Sequence, residues 1–160
     1  MATRLAVLVL ASMGWAADWP QWQGSDRNDM STETGLLKEW PKDGPKFLWV
    51  EKGLEKGYST VSVANGLIFT TGMDEDKKGI LFVHDLDGNL KWQSTYGLAW
   101  SGSYPSARST LTIDGDRDYV MSGQGMLVCF NLKTRKISWP IDTIKRFGGK
   151  GPTSGLLSLS

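Results

Sequence analysis

Two stretches decide the fold: Ser59–Gly72, S-T-V-S-V-A-N-G-L-I-F-T-T-G, and Ser109–Gly123, S-T-L-T-I-D-G-D-R-D-Y-V-M-S-G. Each alternates apolar and small polar residues around a central turn, Asn65-Gly66 in the first and Asp114-Gly115 in the second. Two short runs of period two joined by Asn-Gly or Asp-Gly are the strongest local signal for a β-hairpin. After each comes a second unit, Gly79–Trp92 (G-I-L-F-V-H-D-L-D-G-N-L-K-W) and Gly125–Trp139 (G-M-L-V-C-F-N-L-K-T-R-K-I-S-W). Each reads as a third strand, a turn and a fourth strand ending in tryptophan. Phe47-Leu48-Trp49 repeats that last strand alone, so Trp49, Trp92 and Trp139 stand 43 and 47 residues apart. Four strands recurring at ~40–50 residues are the sequence sign of a β-propeller blade. A blade cannot bury both faces by itself, so neighbours must stack. The fold class expected is all-β.

Composition agrees. The chain has 160 residues, 19 Gly, 6 Pro and 8 Trp, a turn-rich and aromatic mixture above the roughly 12% average for Gly plus Pro. With 18 basic and 17 acidic side chains and a formal net charge of +1, no electrostatic argument for a nucleic-acid partner exists. A single cysteine, Cys129, excludes an internal disulfide, a Cys-paired zinc site and an iron–sulfur cluster.

The N-terminus divides from the rest. Met1–Arg4 is a short basic region, Leu5–Met13 is apolar, and Gly14-Trp15-Ala16 places small residues at the −3 and −1 positions of a cleavage site. The layout is that of a secretory signal over 1–16, cut near Ala16-Ala17, and its apolar run is too short for a membrane span of ~20 residues. The alternative is a buried N-terminal strand. Cleavage removes Arg4 and leaves 17 basic and 17 acidic side chains, the balance of a periplasmic or secreted protein without a transmembrane span. Residues 17–46 read as an extended arm with Trp19, Trp22 and Trp40 as buried anchors and at most one helical turn at Ser31–Glu33. Residues 47–150 carry the repeats.

The unit G-x-L-x-x-x-D-x-x-x-G-x-x-x-W resembles the repeat of pyrroloquinoline-quinone-type (PQQ-like) β-propellers. Gly79, Leu81, Asp85, Gly88 and Trp92 match it with a turn one residue shorter. Gly125, Leu127 and Trp139 match it again, while Asn131 stands for the Asp and Arg135 for the Gly. The arm D-W-P-Q-W-Q-G, the stretch T-G-L-L-K-E-W-P-K-D-G-P-K-F-L-W and the linker S-G-S-Y-P-S-A-R-S-T are similar to the secreted bacterial subfamily, often labelled alcohol-dehydrogenase-like. The likeness runs over about residues 18–150.

It implies a ring of seven or eight blades, of which this chain holds two and one strand of another. The tail 151–160, G-P-T-S-G-L-L-S-L-S, does not resume alternating strands. The expectation is a truncated or frame-shifted N-terminal portion, since terminal repeats need a capping face, with open edges prone to self-association. The alternative is a short chain that closes a ring by oligomerisation.

The resemblance also implies what a quinoprotein dehydrogenase would need: quinone held with calcium, an Asp base and a vicinal Cys–Cys disulfide. With one cysteine that disulfide is excluded, and no residue here matches the calcium ligands or the base. No catalytic set and no metal ligands are therefore assigned, and PQQ stands as a cofactor by resemblance alone. Asp114-x-Asp116-x-Asp118 invites a calcium loop, but Tyr119 and Gly125 occupy the positions that demand Gly and Glu. Asp118 sits where the first repeat has Ile68 and reads as solvent-facing or as the mark of a weak strand. His84, the lone histidine, reads as a strand-face filler, and Cys129 as a small buried hydrophobe. Asp85 and Asn131 begin turns by bonding backbone N–H groups two residues on.

The candidates for ligand binding precede the innermost strands. Gly57-Tyr58-Ser59-Thr60 and Ala107-Arg108-Ser109-Thr110 match except at Tyr58 and Arg108, and Trp100 and Tyr104 lie in the loop before Arg108. Pseudo-symmetric positions with different residues build an asymmetric surface. The opposing reading gives Arg108 a carboxylate partner and a packing role. The function expected is an exported binding or scaffolding module for an unknown protein or small-molecule ligand. The alternatives are part of a PQQ-dependent alcohol dehydrogenase-like enzyme and an envelope assembly scaffold.

Overall fold

The computed structural model describes residues 17–149. The expected signal peptide (1–16) and the tail (151–160) lie outside the described residues.

β1 (Ser62–Ala64), β2 (Leu67–Met73), β3 (Lys78–Asp85) and β4 (Leu90–Leu98) form one antiparallel sheet in sequence order. β5 (Thr112–Asp114), β6 (Arg117–Met121), β7 (Met126–Asn131) and β8 (Lys136–Asp142) form a second with the same order. The described residues are all-β but for the five-residue helix α1 (Thr143–Phe147), where Asp142 accepts the Lys145 N–H and Gly148 closes the end in a left-handed conformation.

Turn chemistry explains both inner hairpins. Asn65 (φ 54°) and Gly66 (φ 71°) both adopt positive φ, the sign pattern of the type I′ turn that matches strand twist. In the second hairpin Asp114 belongs to the ladder, opposite Arg117. The turn is therefore Gly115-Asp116, one residue later than expected, and only Gly115 has positive φ. Both sheets shift register at the same point of the third strand, between Val83 and His84 and between Cys129 and Phe130. Such bulges sharpen the local twist.

The sheets meet face to face. Alternation turns Ala64, Phe69, Leu81 and Val83 to one side of the first sheet, and Ile113, Val120, Val128 and Phe130 to the facing side of the second, in one buried cluster. Burying each of these side chains except Ala64 contributes ~1.5–3 kcal/mol. Trp92 on β4 packs across this joint with its ring centroid 6.1 Å from that of Phe130 and the planes tilted 54°. Gly79 lies under the buried Tyr96 ring, where a Cβ would come within 2.4 Å. On the far side of the first sheet, Ile80, Phe82 and His84 are also buried. There the stretch 49–57 lies across: the Trp49 indole donates to Leu86 O at 2.9 Å, Glu51 reaches His84, and Lys56 bridges Met73.

Three expectations change. Phe47-Leu48-Trp49 is not a strand, and Phe47 is 74% exposed. A fourth strand needs a third strand to pair with, and among the described residues β3 and β7 already hold β4 and β8. Of the arm's tryptophans Trp19 is fastened, exchanging backbone hydrogen bonds with Val63 at 2.7 and 2.9 Å. Trp22 is exposed and Trp40 is 70% exposed, because the arm beyond residue 20 forms local turns instead of packing on a sheet. Ser31–Glu33 makes no helical turn; the Ser31 hydroxyl accepts the Glu33 N–H, a local bond that competes with helix.

Candidate functional site

Ser-Thr repeats at 59–60 and 109–110, and the structure gives each residue a structural task. Ser59 Oγ bonds both the N–H and the C=O of Thr71 on β2, and Ser109 Oγ donates to Met121 O on β6. Each serine thus ties its segment to its own sheet. Thr60 and Thr110 join the two units through their hydroxyls, 2.8 Å apart, and the Thr60 N–H donates to Thr110 Oγ1. The buried Ser62 hydroxyl donates to Leu111 O at 2.6 Å. Upstream, Gly57 and Ala107 form a parallel bridge, with the Tyr58 N–H donating to Ala107 O at 2.8 Å. The two segments therefore run side by side.

This pairing brings the four candidates together. The Arg108 guanidinium stands over the Tyr58 ring, 5.6 Å from its centroid, within reach of the ring's negative face. Its Nη2 donates to Ser103 O at 3.1 Å and Tyr104 O at 2.7 Å, and the Trp100 indole donates to the same Ser103 carbonyl at 2.7 Å. The Ser106 N–H closes the loop onto Trp100 O. Trp100 and Arg108, both half-buried, act as braces inside the loop. What faces outward is aromatic: Tyr58 is 65% and Tyr104 77% exposed. Tyr104 is held at φ 50°, a left-handed conformation uncommon for an aromatic residue, so the brace over-determines its position.

The repeat residues are placed as turn and packing elements. Asp85 accepts the N–H groups of Asn89 at 2.8 Å and Asp87 at 3.1 Å. The Asn89 bonds, with Lys91 nearby, hold its carboxyl below the usual range. Asn131 does the same for the Thr134 N–H. Gly88 (φ 86°) lies under Trp49, whereas Arg135 takes the equivalent left-handed place at φ 58°. Gly125 donates to Ser122 O on the approach to β7. Trp139 repeats Trp92 on the outer face of the second sheet, 6.1 Å from Tyr119, with Cys129 buried between their strands and its thiol pushed up by burial.

The acidic triplet does not converge. Asp116 meets Lys133 at the surface. Asp118 points inward and is 0% exposed, which overturns the solvent-facing reading. It pairs across the ladder with Ile113 and Phe130, and both its oxygens lack a hydrogen-bond partner. Strict alternation from Val120 carried that signal, since residues two apart share a face. Among the described residues no three His, Cys, Asp or Glu side chains gather as metal ligands, and no helix is long and apolar enough to cross a membrane. A cavity of about 100 Å³ in the arm, beside Asp18, Trp19, Asp26 and Met30, went unforeseen because it forms within irregular backbone.

No family model matches the chain, and no curated protein matches it.

Proposed function

We propose that the two sheets are neighbouring blades of a PQQ-like β-propeller, and that the exported protein acts as a binding or scaffolding module. The equivalence of Trp49 and Trp92 supports the architecture. Trp92 crosses from the first sheet onto Phe130 of the second, and Trp49, one repeat earlier, lies over the turn after β3 of the first sheet, at Leu86 and Gly88. Phe47–Trp49, which forms no strand, stands in this reading at the place where a preceding blade would end.

The braced loop carries the functional reading. Two exposed tyrosine rings stand beside Arg108, and half-buried Trp100 and Arg108 hold the loop by its carbonyls. Aromatic side chains on a fixed loop offer contact area at low entropic cost, and Tyr, Trp and Arg dominate binding hot spots. The residues do not fit a quinone–calcium site. Cys129 is the only cysteine, and the acidic triplet is split between surface and core.

The test is a thermal-shift screen of small molecules and soluble glycans, since a ligand that binds only the folded state raises Tm. A compound that raises the Tm of the wild type and not of Tyr58→Ala/Tyr104→Ala supports the reading. Alcohol oxidation by the purified chain with added PQQ and calcium overturns it. Export is tested separately: N-terminal sequencing of the protein from cells should begin at Ala17, and a retained Met1 contradicts it.

A further inference from the structure

Asp118 occupies the joint between the sheets. It faces Ile113 and Phe130 across its own sheet, and both belong to the buried cluster that the two sheets share. It has no exposed surface and, among the described residues, no partner for either oxygen. Its counterpart in the first repeat is Ile68, so the fold expects an apolar side chain of similar size there. A neutral acid can be tolerated in such a place. An isolated carboxylate costs far more, and a protein escapes that cost by keeping the proton or by opening.

We propose that the joint between the two sheets is a pH-sensitive junction governed by Asp118, tight while the side chain is a neutral acid and loosened when it becomes a carboxylate. The groups around it offer the carboxylate no relief. On the facing side of the first sheet the titratable residues are Tyr96, buried with its pKa pushed up to about 12, and Asp85, already bonded to Asn89 and Lys91. On the arm, Asp18 accepts the Asn65 N–H. All three are acids. Arg117 and Cys129 lie on the opposite face of the second sheet by alternation. Burial alone holds the Asp118 carboxyl well above the ordinary range.

The sign follows from linkage. The folded state keeps a proton that the unfolded state releases, so the stabilisation is complete below the ordinary carboxyl pKa. It is lost as pH rises toward the folded-state value. Across that window the unfolding equilibrium constant of the wild type should rise by up to about tenfold per pH unit.

The experiment is urea unfolding of the full chain between about pH 4.5 and about pH 8, followed by tryptophan fluorescence, for the wild type, Asp118→Asn and Asp118→Ile. The expected result is a urea midpoint that falls with rising pH in the wild type and stays level in both variants. Parallel profiles in wild type and variants overturn the proposal. Should neither variant fold, infrared spectroscopy of the wild type at about pH 6 decides, roughly two units above the ordinary carboxyl value. A protonated-carboxyl band supports the junction, and its absence overturns it.

Discussion

Trp92 and Phe130 belong to different sheets, yet their ring centroids lie 6.1 Å apart at a 54° tilt, which makes them the aromatic bond of the joint. Trp92 is only half-buried, so Trp92→Ala should destabilise by about 2–3 kcal/mol, below the ~3–5 typical of a fully buried ring. Trp92→Phe should recover most of the loss. Urea unfolding monitored by far-UV circular dichroism measures both, and a loss under about 0.5 kcal/mol, the scale of an ordinary surface change, would count against a packing role.

Arg108 braces the loop through the carbonyls of Ser103 and Tyr104. Arg108→Ala should free the loop and expose it to protease cleavage between Ser101 and Pro105, with a cost of about 1–2 kcal/mol. Arg108→Lys should behave nearly as badly, because a point charge cannot reproduce a planar fork that bonds carbonyls and stacks on Tyr58. Limited proteolysis with mass spectrometry reads the cleavage sites directly.

Gly88 combines φ 86° with the Trp49 ring, which a Cβ would approach to 2.6 Å. Gly88→Ala should therefore cost about 1–2 kcal/mol in backbone strain and push Trp49 off the sheet. A red-shifted tryptophan emission reports that displacement. Unchanged emission would mean that Trp49 is held elsewhere.

The acid limb of stability belongs to other carboxylates. Asp85 is held below the usual range chiefly by the Asn89 N–H, and Asp142 by the Lys145 N–H at the start of α1. Lowered folded-state values stabilise above the ordinary carboxyl pKa, and that contribution disappears as pH falls through them. Asp85→Asn should make the fall in Tm between about pH 5 and about pH 2 shallower, opposite in direction to the effect of Asp118. Scanning calorimetry across that range distinguishes the two.

Local signals were enough for the framework. Period-two alternation, Asn65-Gly66 and the recurring Trp92 and Trp139 are properties of adjacent residues, and they placed all four strands of each sheet. The Asp85 and Asn131 turns were readable for the same reason, since each bond spans only two to four residues. The matching of Gly57–Thr60 with Ala107–Thr110 also located the candidate loop.

Tertiary structure decided the rest, because pairing partners and burial are not local quantities. Phe47–Trp49 has the sequence of a strand and, among the described residues, no third strand beside it. Trp40 has the side chain of an anchor and is left largely exposed. Arg108 bonds the carbonyls of Ser103 and Tyr104, an outcome set by how the Trp100–Ser106 loop folds back. Asp118 shows the division most sharply: its polarity argued for solvent, while its register between Ile113 and Phe130 put it where a second sheet closes over it. Alternation could name the face, but only the stacking of the sheets could make that face dry.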